Sequence, residues 1–433
     1  MSLRAAIMSR IARYLTSSER LAAARAKAER RRVAKGEAHL VEYFHDTSDP
    51  YSYLVSQILV EFARRYDVDL KIHLVAPPPD WAAPEREQLA AWSRLDSHRL
   101  AEKAGLNFQD PGITPPAEEI EQAEAELLDA LKTGAFVQQA ARIGGTLWGR
   151  GLSGNDKPLR EDVAAGKVDG SARREALGHY LGATFHYAGE WYWGLDRLHY
   201  LEARLRALGA VKPGCPETPI FVPPVCPASD VSNRVPEGTE LQYYLSFRSP
   251  YTYIVAERVK ALAESYGARL RLRFVLPMVM RGLPVPRMKG MYITKDTARE
   301  ARRLGVPFGK IADPVGEPVE RGYSLLPWAI SEGKGFEFCL SFMRNVWSEG
   351  VDAGSAKGME VIVKEAGLNW KQASNIMGND DWRAEAEANR AEMSELGLWG
   401  VPSFRVGNVY TWGQDRLWVI EDELKRLARG NKS

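Results

Sequence analysis

The residues Ser249-Pro250-Tyr251-Thr252 stand where the sequence predicts that a short strand meets a helix. The first turn of a helix has unpaired backbone N–H groups and the positive end of the helix dipole, so this position can stabilise an anion such as a thiolate. Neither these four residues nor the similar stretch Asp49-Pro50-Tyr51-Ser52 contains cysteine, which excludes a dithiol oxidoreductase. A structural interpretation also stands, because serine followed by proline is a common helix start in which the serine hydroxyl caps the helix.

The distribution of histidine and cysteine excludes several other kinds of site. All seven histidines precede residue 200, so residues 240–433 hold neither a Ser-His-Asp triad nor a histidine-ligated metal centre. The histidines lack HxH and HxxxH spacing, and no metal site is predicted. The cysteines form no CxxC pair and argue against a disulfide-built secreted protein. The cysteines are Cys215, Cys226 and Cys339, and the histidines are His39, His45, His73, His98, His179, His186 and His199.

An internal repeat organises the chain. Residues 43–54 resemble residues 243–254 at a spacing of 200, and the same spacing relates further positions up to Phe108 and Phe308. Residues 193–198 resemble residues 412–417 at a spacing of 219, so the second copy contains a longer insert. Similarity that keeps its register over tens of residues predicts a duplicated domain.

The pattern of elements in the second copy predicts an α/β fold of the thioredoxin plan with a helical insertion. A strand-helix-strand unit precedes the mostly helical residues 290–395, and a hairpin and a closing helix follow. The first copy repeats this plan, which predicts two thioredoxin-like domains in tandem. The predicted elements are a strand at 241–247, a helix at 250–266, a strand at 270–276, a hairpin at 403–411 around Gly407-Asn408, and a helix at 417–427.

The repeat sets the predicted domain boundaries. We expect a degenerate first domain at 37–209, a proline-rich linker at 210–239 and a second domain at 240–433. Proline fixes φ and lacks a donor, so the linker is expected to be an extended spacer. Its two thiols, Cys215 and Cys226, are expected to be free in a reducing compartment, although they could pair.

Charge is unevenly distributed along this chain of 433 residues. Residues 1–36 contain ten basic and two acidic residues, a charge of +8, which leaves −6 on the remainder of a chain whose net charge is +2. The acidic body gives no case for a nucleic-acid partner. Residues 1–36 are expected to form a basic amphipathic helix that lies on an anionic membrane, acts as an organellar transit peptide or simply packs on the body. Without an apolar run near the roughly 18 residues of a membrane-spanning helix, we expect a soluble, cytoplasmic protein.

Several motifs together carry a family resemblance. Ser-Pro-Tyr-x-Tyr at 249–253, Gly-Val-Pro-Ser-Phe at 400–404 and Trp-Gly-Gln-Asp-Arg-Leu at 412–417 resemble the 2-hydroxychromene-2-carboxylate isomerase family. The stretch 289–292 with Asp296 and Arg299, and the stretch 346–350, look like the same family. That family and the similar kappa-class glutathione transferases belong to the DsbA-like thioredoxin group. The resemblance covers residues 240–428 and, more weakly, 39–208.

The resemblance implies a glutathione-dependent isomerase or transferase, in which glutathione is a cosubstrate that supplies the thiolate. Ser249 would hydrogen-bond to that thiolate. Pro402 would be a cis proline that turns the Val401 backbone toward the glutathione peptide. Gln414 and Asp415 would receive the γ-glutamyl end, with Asp415 facing its ammonium group.

The resemblance also implies a small aromatic or unsaturated carboxylate as substrate. In the isomerase the thiolate adds to the substrate, permits rotation about the former double bond and leaves again. Lys289 and Arg281 are the candidate cations for the substrate carboxylate, although they also fit a solvated face. Tyr251 and Trp399 either line the substrate pocket or belong to the core.

The first copy lacks the residues to which the resemblance assigns chemistry. Asp49, Ala183 and Leu195 stand at the positions of the serine, the cis proline and the glutamine. A carboxylate would repel a neighbouring thiolate by about 1 to 4 kcal/mol, and a non-proline cis peptide costs about 2.5–4 kcal/mol. We therefore expect the first copy to be inactive toward glutathione. Because Asp196 persists there, its match Asp415 is either a helix cap or a ligand-binding residue.

Two functional interpretations follow from the sequence. The first is the enzyme, with the inactive copy folded against the active one as an intramolecular pseudo-dimer, so that the chain could be monomeric. The alternative is a non-catalytic thiol-binding or scaffold protein, for which thiol oxidoreductase would be a family label only.

Overall fold

The structure is a computed structural model that describes residues 3–149, 161–227 and 234–430. The chain divides into two compact units. One is Ala23–Pro223, and the other combines Met1–Ala22 with Pro224–Ser433. Within the described residues, no helix is both long and apolar enough to cross a membrane.

The unit Ala23–Pro223 is built on a four-stranded sheet with the order β2-β1-β3-β4. Strand β1 pairs parallel with β2 and antiparallel with β3, and β3 and β4 form a hairpin. In chain order its elements are α2 (Ser18–Lys35), which begins in the other unit, β1 (Leu40–His45), α3 (Pro50–Arg65), β2 (Asp69–Leu74), α4 (Arg86–Ala104), α5 (Ala117–Lys132), α6 (Phe136–Trp148), α7 (Glu161–Ala176), β3 (Thr184–Tyr187), β4 (Glu190–Trp193) and α8 (Gly194–Ala207).

The other unit contains a second four-stranded sheet with the order β6-β5-β7-β8. A 3-10 helix at Gln414–Arg416 leads from its hairpin into the last helix. The remaining elements are α1 (Leu3–Thr16), β5 (Glu240–Leu245), α9 (Pro250–Tyr266), β6 (Arg269–Phe274), a 3-10 helix (Met278–Arg281), α10 (Arg287–Leu304), α11 (Glu317–Ser331), α12 (Gly335–Trp347), α13 (Ala356–Glu365), α14 (Trp370–Ile376), α15 (Trp382–Glu395), β7 (Ser403–Val406), β8 (Val409–Trp412) and α16 (Leu417–Gly430).

The two sheets share one strand order, one set of strand directions and one register. The parallel pair of the first sheet starts at Leu40 opposite Asp69, and that of the second starts at Glu240 opposite Arg269, each 200 residues later. The predicted α/β class is confirmed, and two sheets of four strands agree with two domains. The hairpin predicted around Gly407 is present, with that glycine at φ = +56°, a conformation that glycine adopts without steric cost.

The N-terminal segment differs from the single helix predicted over residues 1–36. Two helices, α1 and α2, meet at Ser17, which starts the second helix. The Ser17 Oγ accepts a hydrogen bond from the Arg20 N–H at 3.2 Å, and the Ser17 carbonyl accepts the first bond of α2, from the Leu21 N–H. The serine therefore caps a new helix rather than continuing the first. Gly36 follows the end of α2 and has φ = +64°, a conformation that favours glycine.

Helix α1 packs on the unit that it belongs to. Ser9 and Thr16 are buried, and the Thr16 carbonyl accepts a hydrogen bond from Arg302 Nη1 at 2.9 Å. Gly309 and Gly350 make room for this contact, because a Cβ at either position would lie 2.5 Å from the Thr16 or Ser9 hydroxyl oxygen. The contacts agree with the interpretation in which the segment packs on the body.

The residues predicted as a linker are divided between the two compact units. Residue 211 forms a β-bridge with Tyr66, while Cys226 is buried in the core that contains α9. Residues 228–233 of the linker lie outside the described residues. Cys215 and Cys226 are both free, as expected, and the third cysteine, Cys339, is free and buried.

Candidate functional site

Ser249 sits at the N-terminus of α9, directly after the first strand of its sheet. It has extended backbone angles, its Oγ accepts a hydrogen bond from the Thr252 N–H at 3.2 Å, and Pro250 follows at the first helical position. These are the properties of a serine N-cap, so the structural interpretation of Ser-Pro is satisfied. The same Oγ also donates to the Val401 carbonyl oxygen at 3.2 Å. The hydroxyl therefore links the helix start to the Val-Pro motif, which lies 152 residues later in the chain.

The Val401–Pro402 peptide bond is cis, as the resemblance implied. The Pro402 carbonyl accepts a hydrogen bond from the Gly413 N–H at 2.9 Å, which ties the motif to the end of β8. Val401 is half-buried, and among the described residues no group accepts a hydrogen bond from its N–H. A half-buried amide of this kind, beside a strand, can pair with the backbone of an extended peptide.

Lys289 and Arg281, the two predicted cations, converge on Trp399. Lys289 lies in the first turn of α10, with its Nζ 5.8 Å from the centre of the Trp399 ring system. Arg281 Nη2 donates to the Trp399 carbonyl oxygen at 3.3 Å. Lys289 is only 8% exposed, and this burial lowers the pKa of its ammonium group. A buried cation over an aromatic ring is a suitable place for an anionic group.

The tryptophan itself offers a further donor. Trp399 is 6% exposed and packs edge-on against Trp412, with 5.0 Å between ring centroids. Its Nε1–H is buried, and within the described part of the chain no acceptor reaches it. Gly400 permits the packing, because a Cβ at that position would lie 2.2 Å from Cζ2 of Trp412. Trp399 therefore belongs to the core and also presents an indole N–H beside the cations.

The Tyr251 hydroxyl makes a hydrogen bond from α9 to α10. Its hydroxyl donates to Asp296 Oδ2 at 2.8 Å, and Arg299 lies 3.5 Å from the other oxygen of that carboxylate. In the first unit, Tyr51 donates to Asp96 at 2.7 Å in the same way. A contact present in both units belongs to the fold, so the structure gives Tyr251 a packing and hydrogen-bonding role.

Gln414 is buried in a polar cluster that the sequence did not reveal. Its Oε1 accepts from Arg258 Nη2 at 2.6 Å, and its Nε2 donates to Glu300 Oε2 at 2.9 Å and to Asp415 Oδ1. Gln414 is 3% exposed and Glu300 is 1% exposed, whereas Asp415 is half-buried. A ligand at this end would thus meet Asp415, with Gln414 behind it. The missed residues, Arg258 and Glu300, would have been found by comparing the two copies position by position.

The first unit carries a different set of groups at the matched place. Asp49 caps α3 through a hydrogen bond from the Tyr51 N–H at 3.1 Å. Burial and the neighbouring Asp46 raise the pKa of Asp49, which favours the neutral carboxyl and weakens the charge repulsion that the sequence predicted. Ala183 has a left-handed φ of +52°, and its carbonyl accepts from the Gly194 N–H at 2.8 Å, as the Pro402 carbonyl does in the second unit.

Comparison with known proteins assigns the second half of the chain to a domain family. Residues 240–425 match the family model of the DSBA-like thioredoxin domain. A relative from Pseudomonas putida, 2-hydroxychromene-2-carboxylate isomerase, is 23% identical over 201 residues, which are 44% of this chain and 97% of the relative.

Two solved structures resemble part of this chain at low identity. A 2-hydroxychromene-2-carboxylate isomerase structure is 22% identical with a TM-score of 0.39, covering 44% of this chain and 97% of its own. The cytosolic disulfide reductase DsbM from Pseudomonas aeruginosa, solved with GSH, is 19% identical with a TM-score of 0.35, covering 44% and 98%. By its match to the family model, the C-terminal half of this chain is a DsbA-like thioredoxin domain, and its curated relatives are named 2-hydroxychromene-2-carboxylate isomerase.

Proposed function

We propose that the second half binds glutathione and acts as a glutathione-dependent isomerase or transferase of the 2-hydroxychromene-2-carboxylate isomerase type. The observation that carries this proposal is the position of the Ser249 hydroxyl, at the N-terminus of α9 and 3.2 Å from the carbonyl that precedes cis Pro402. The compact unit that contains this half has two cysteines, and neither stands at that place. Cys226 donates to Glu421, and Cys339 is buried in the core. The sulfur must therefore come from a ligand.

The groups around Ser249 fit such a ligand. The start of α9 and the Ser249 hydroxyl favour negative charge, and the Thr252 N–H fixes the oxygen of that hydroxyl. In the free protein the single proton of that hydroxyl is given to the Val401 carbonyl, so Ser249 must rotate to donate to a sulfur. The Val401 N–H is available to pair with the peptide backbone of the ligand.

Bound glutathione would supply a nucleophilic thiolate that adds to an unsaturated substrate and is later expelled unchanged. The chain's own residues then bind and orient glutathione and the substrate. Lys289 and Arg281, with the indole N–H of Trp399, take the carboxylate of a small aromatic or unsaturated acid. The Trp399 ring packs against the apolar part of the substrate. Asp415 faces the ammonium group of the γ-glutamyl end, and Gln414 supports it from behind.

The first half is proposed to be inactive toward glutathione. Its Ala183 replaces the cis proline, and its Leu195, which is 1% exposed, replaces the glutamine. The aspartate at the serine position caps its own helix, with one carboxyl oxygen accepting a hydrogen bond from the Tyr51 N–H. These differences support assigning the reaction to the second half alone.

Isothermal titration calorimetry of the whole chain with glutathione tests the proposal directly. We expect one binding site per chain, and S-methylglutathione is expected to bind more weakly because it has no thiolate. Absence of glutathione binding would leave the non-catalytic scaffold interpretation. Binding without turnover of any unsaturated aromatic carboxylate would leave a thiol-binding protein.

A further inference from the structure

The polar cluster behind Asp415 lies in a part of the fold that does not require polar residues. Arg258 comes from α9, Glu300 from α10 and Gln414 from the 3-10 helix before α16. Arg303 Nη1 also lies 3.9 Å from Glu300 Oε2. Burial lowers the pKa of Arg258, an effect that Asp415 and Glu300 oppose. Placing such groups in the interior is costly unless each of them is paired.

The first unit shows what the same framework uses when the cluster is absent. The matched positions carry Ile58 on α3, Leu100 on α4 and Leu195 on α8, and all three are at least 95% buried. Three polar side chains from three different elements are thus exchanged together for aliphatic ones. The Tyr–Asp hydrogen bond between the matched helices is kept in both units. The cluster therefore occurs in the unit that has Ser249 and Pro402, and the fold itself does not require it.

We propose that Arg258, Glu300 and Gln414 position Asp415 to bind the ammonium group of a γ-glutamyl ligand, an inference that rests on the glutathione site proposed above. A guanidinium has only donors, so Arg258 fixes the amide oxygen of Gln414 toward itself. The amide nitrogen must then face the carboxylates of Glu300 and Asp415. Because Gln414 bridges both carboxylates, Glu300 fixes the position from which Asp415 presents its charge. Arg258, Glu300 and Gln414 are positioning residues, since each would act on the ligand through Asp415.

The test compares two ligands on one variant. The triple variant Arg258→Ile, Glu300→Leu, Gln414→Leu installs the residues of the first unit, which already pack at these positions. Calorimetry measures the Kd of glutathione and of cysteinylglycine, the same molecule without its γ-glutamyl group. We expect the glutathione Kd to rise about tenfold or more, because charge-assisted hydrogen bonds are lost, and the cysteinylglycine Kd to change by less than about twofold.

A matched control alters the contact that both units share. Asp296→Asn weakens the hydrogen bond from Tyr251, and we expect it to change the two affinities by the same factor. Circular dichroism checks that each variant folds, and Gln414→Leu alone provides the same comparison if the triple variant does not.

The outcomes separate this inference from the function it rests on. If the triple variant raises the Kd of both ligands by the same factor, or leaves the glutathione Kd unchanged, the positioning role is overturned while the glutathione site stands. A wild-type chain that binds neither ligand overturns both proposals.

Discussion

Replacing Ser249 by alanine is expected to raise the pKa of the bound glutathione thiol by about one unit. The hydroxyl is the side-chain donor placed at the start of α9, and its oxygen is already fixed by the Thr252 N–H. Alanine keeps the helix and the neighbouring Val401–Pro402 backbone but removes the proton that a thiolate would accept. The thiolate would then be stabilised by backbone groups alone.

The magnitude follows from two opposing hydrogen bonds. A hydrogen bond to a charged acceptor contributes about 1.5–3 kcal/mol. Forming it requires Ser249 to give up its bond to the Val401 carbonyl, and a neutral hydrogen bond contributes about 0.5–1.5 kcal/mol. The difference is of the order of 1.4 kcal/mol, which corresponds to one pKa unit.

The ultraviolet absorbance of the thiolate, followed as a function of pH in the saturated complex, measures this pKa. The sign for binding can be worked out in advance. A bound thiol with a lowered pKa holds fewer protons than free glutathione, so affinity rises with pH between the bound pKa and the free value of about 8.5, and is constant above it. In the alanine variant this window is expected to be narrower.

Ser249→Thr is the matched control, because threonine keeps both the hydroxyl and the helix cap. Its thiol pKa should stay close to that of the wild type. Alanine also removes the cap, at a cost of about 0.5–2 kcal/mol in stability, so glutathione binding is compared below the melting transition of both variants. An alanine variant that binds glutathione with an unchanged thiol pKa would show that Ser249 is only a helix cap.

Further consequences concern packing, protonation and reactivity. Gly400→Ala should lower the free energy of unfolding by about 1–3 kcal/mol, because the added methyl meets the ring of Trp412. In Gly290→Ala, in α10, the added methyl meets nothing within 4 Å, so this variant should raise the free energy of unfolding by up to about 1 kcal/mol. Urea denaturation measures both changes. Burial lowers the pKa of Lys289 in the folded chain, so above that lowered pKa the unfolded chain binds more protons than the folded chain. The stability of the wild type relative to Lys289→Met should therefore rise with pH above the lowered pKa. Thermal melts at several pH values measure this difference. Burial and a hydrogen-bonded carboxylate raise the pKa of the Cys226 thiol, so iodoacetamide should label it only after unfolding, as judged by peptide mass spectrometry.

Local sequence signals predicted the elements of the second half closely. Helix α9 begins at Pro250 and ends before Gly267, as its proline start and glycine stop indicate. The hairpin and the closing helix also lie where periodicity placed them. These signals depend on neighbouring residues alone, which is why one sequence is enough to find them.

Contacts between distant elements were harder to foresee. The helix break at Ser17 was missed, because the charge pattern runs through it without a change. Asp49 was predicted to carry a charge, whereas burial and the neighbouring Asp46 raise the pKa of its carboxyl and favour the neutral form. Arg258 and Glu300 resemble ordinary polar residues of exposed helix faces until the fold brings them to Gln414. The pairing of the two halves as a pseudo-dimer stays a prediction, for which light scattering in solution is a first measurement.

Comparing the two units separates the residues of the fold from the residues of a site. Features kept in both, such as the strand register and the hydrogen bond from Tyr251 or Tyr51, are what any copy needs to fold. The buried polar cluster is different, because the first unit buries aliphatic side chains at the matched positions and folds without it. A buried cluster of charges is weak evidence for stability, so its presence in the unit that contains Ser249 agrees with the positioning role proposed above. One chain thus contains its own control, and the residues that differ between its halves are the ones in which chemistry should be sought.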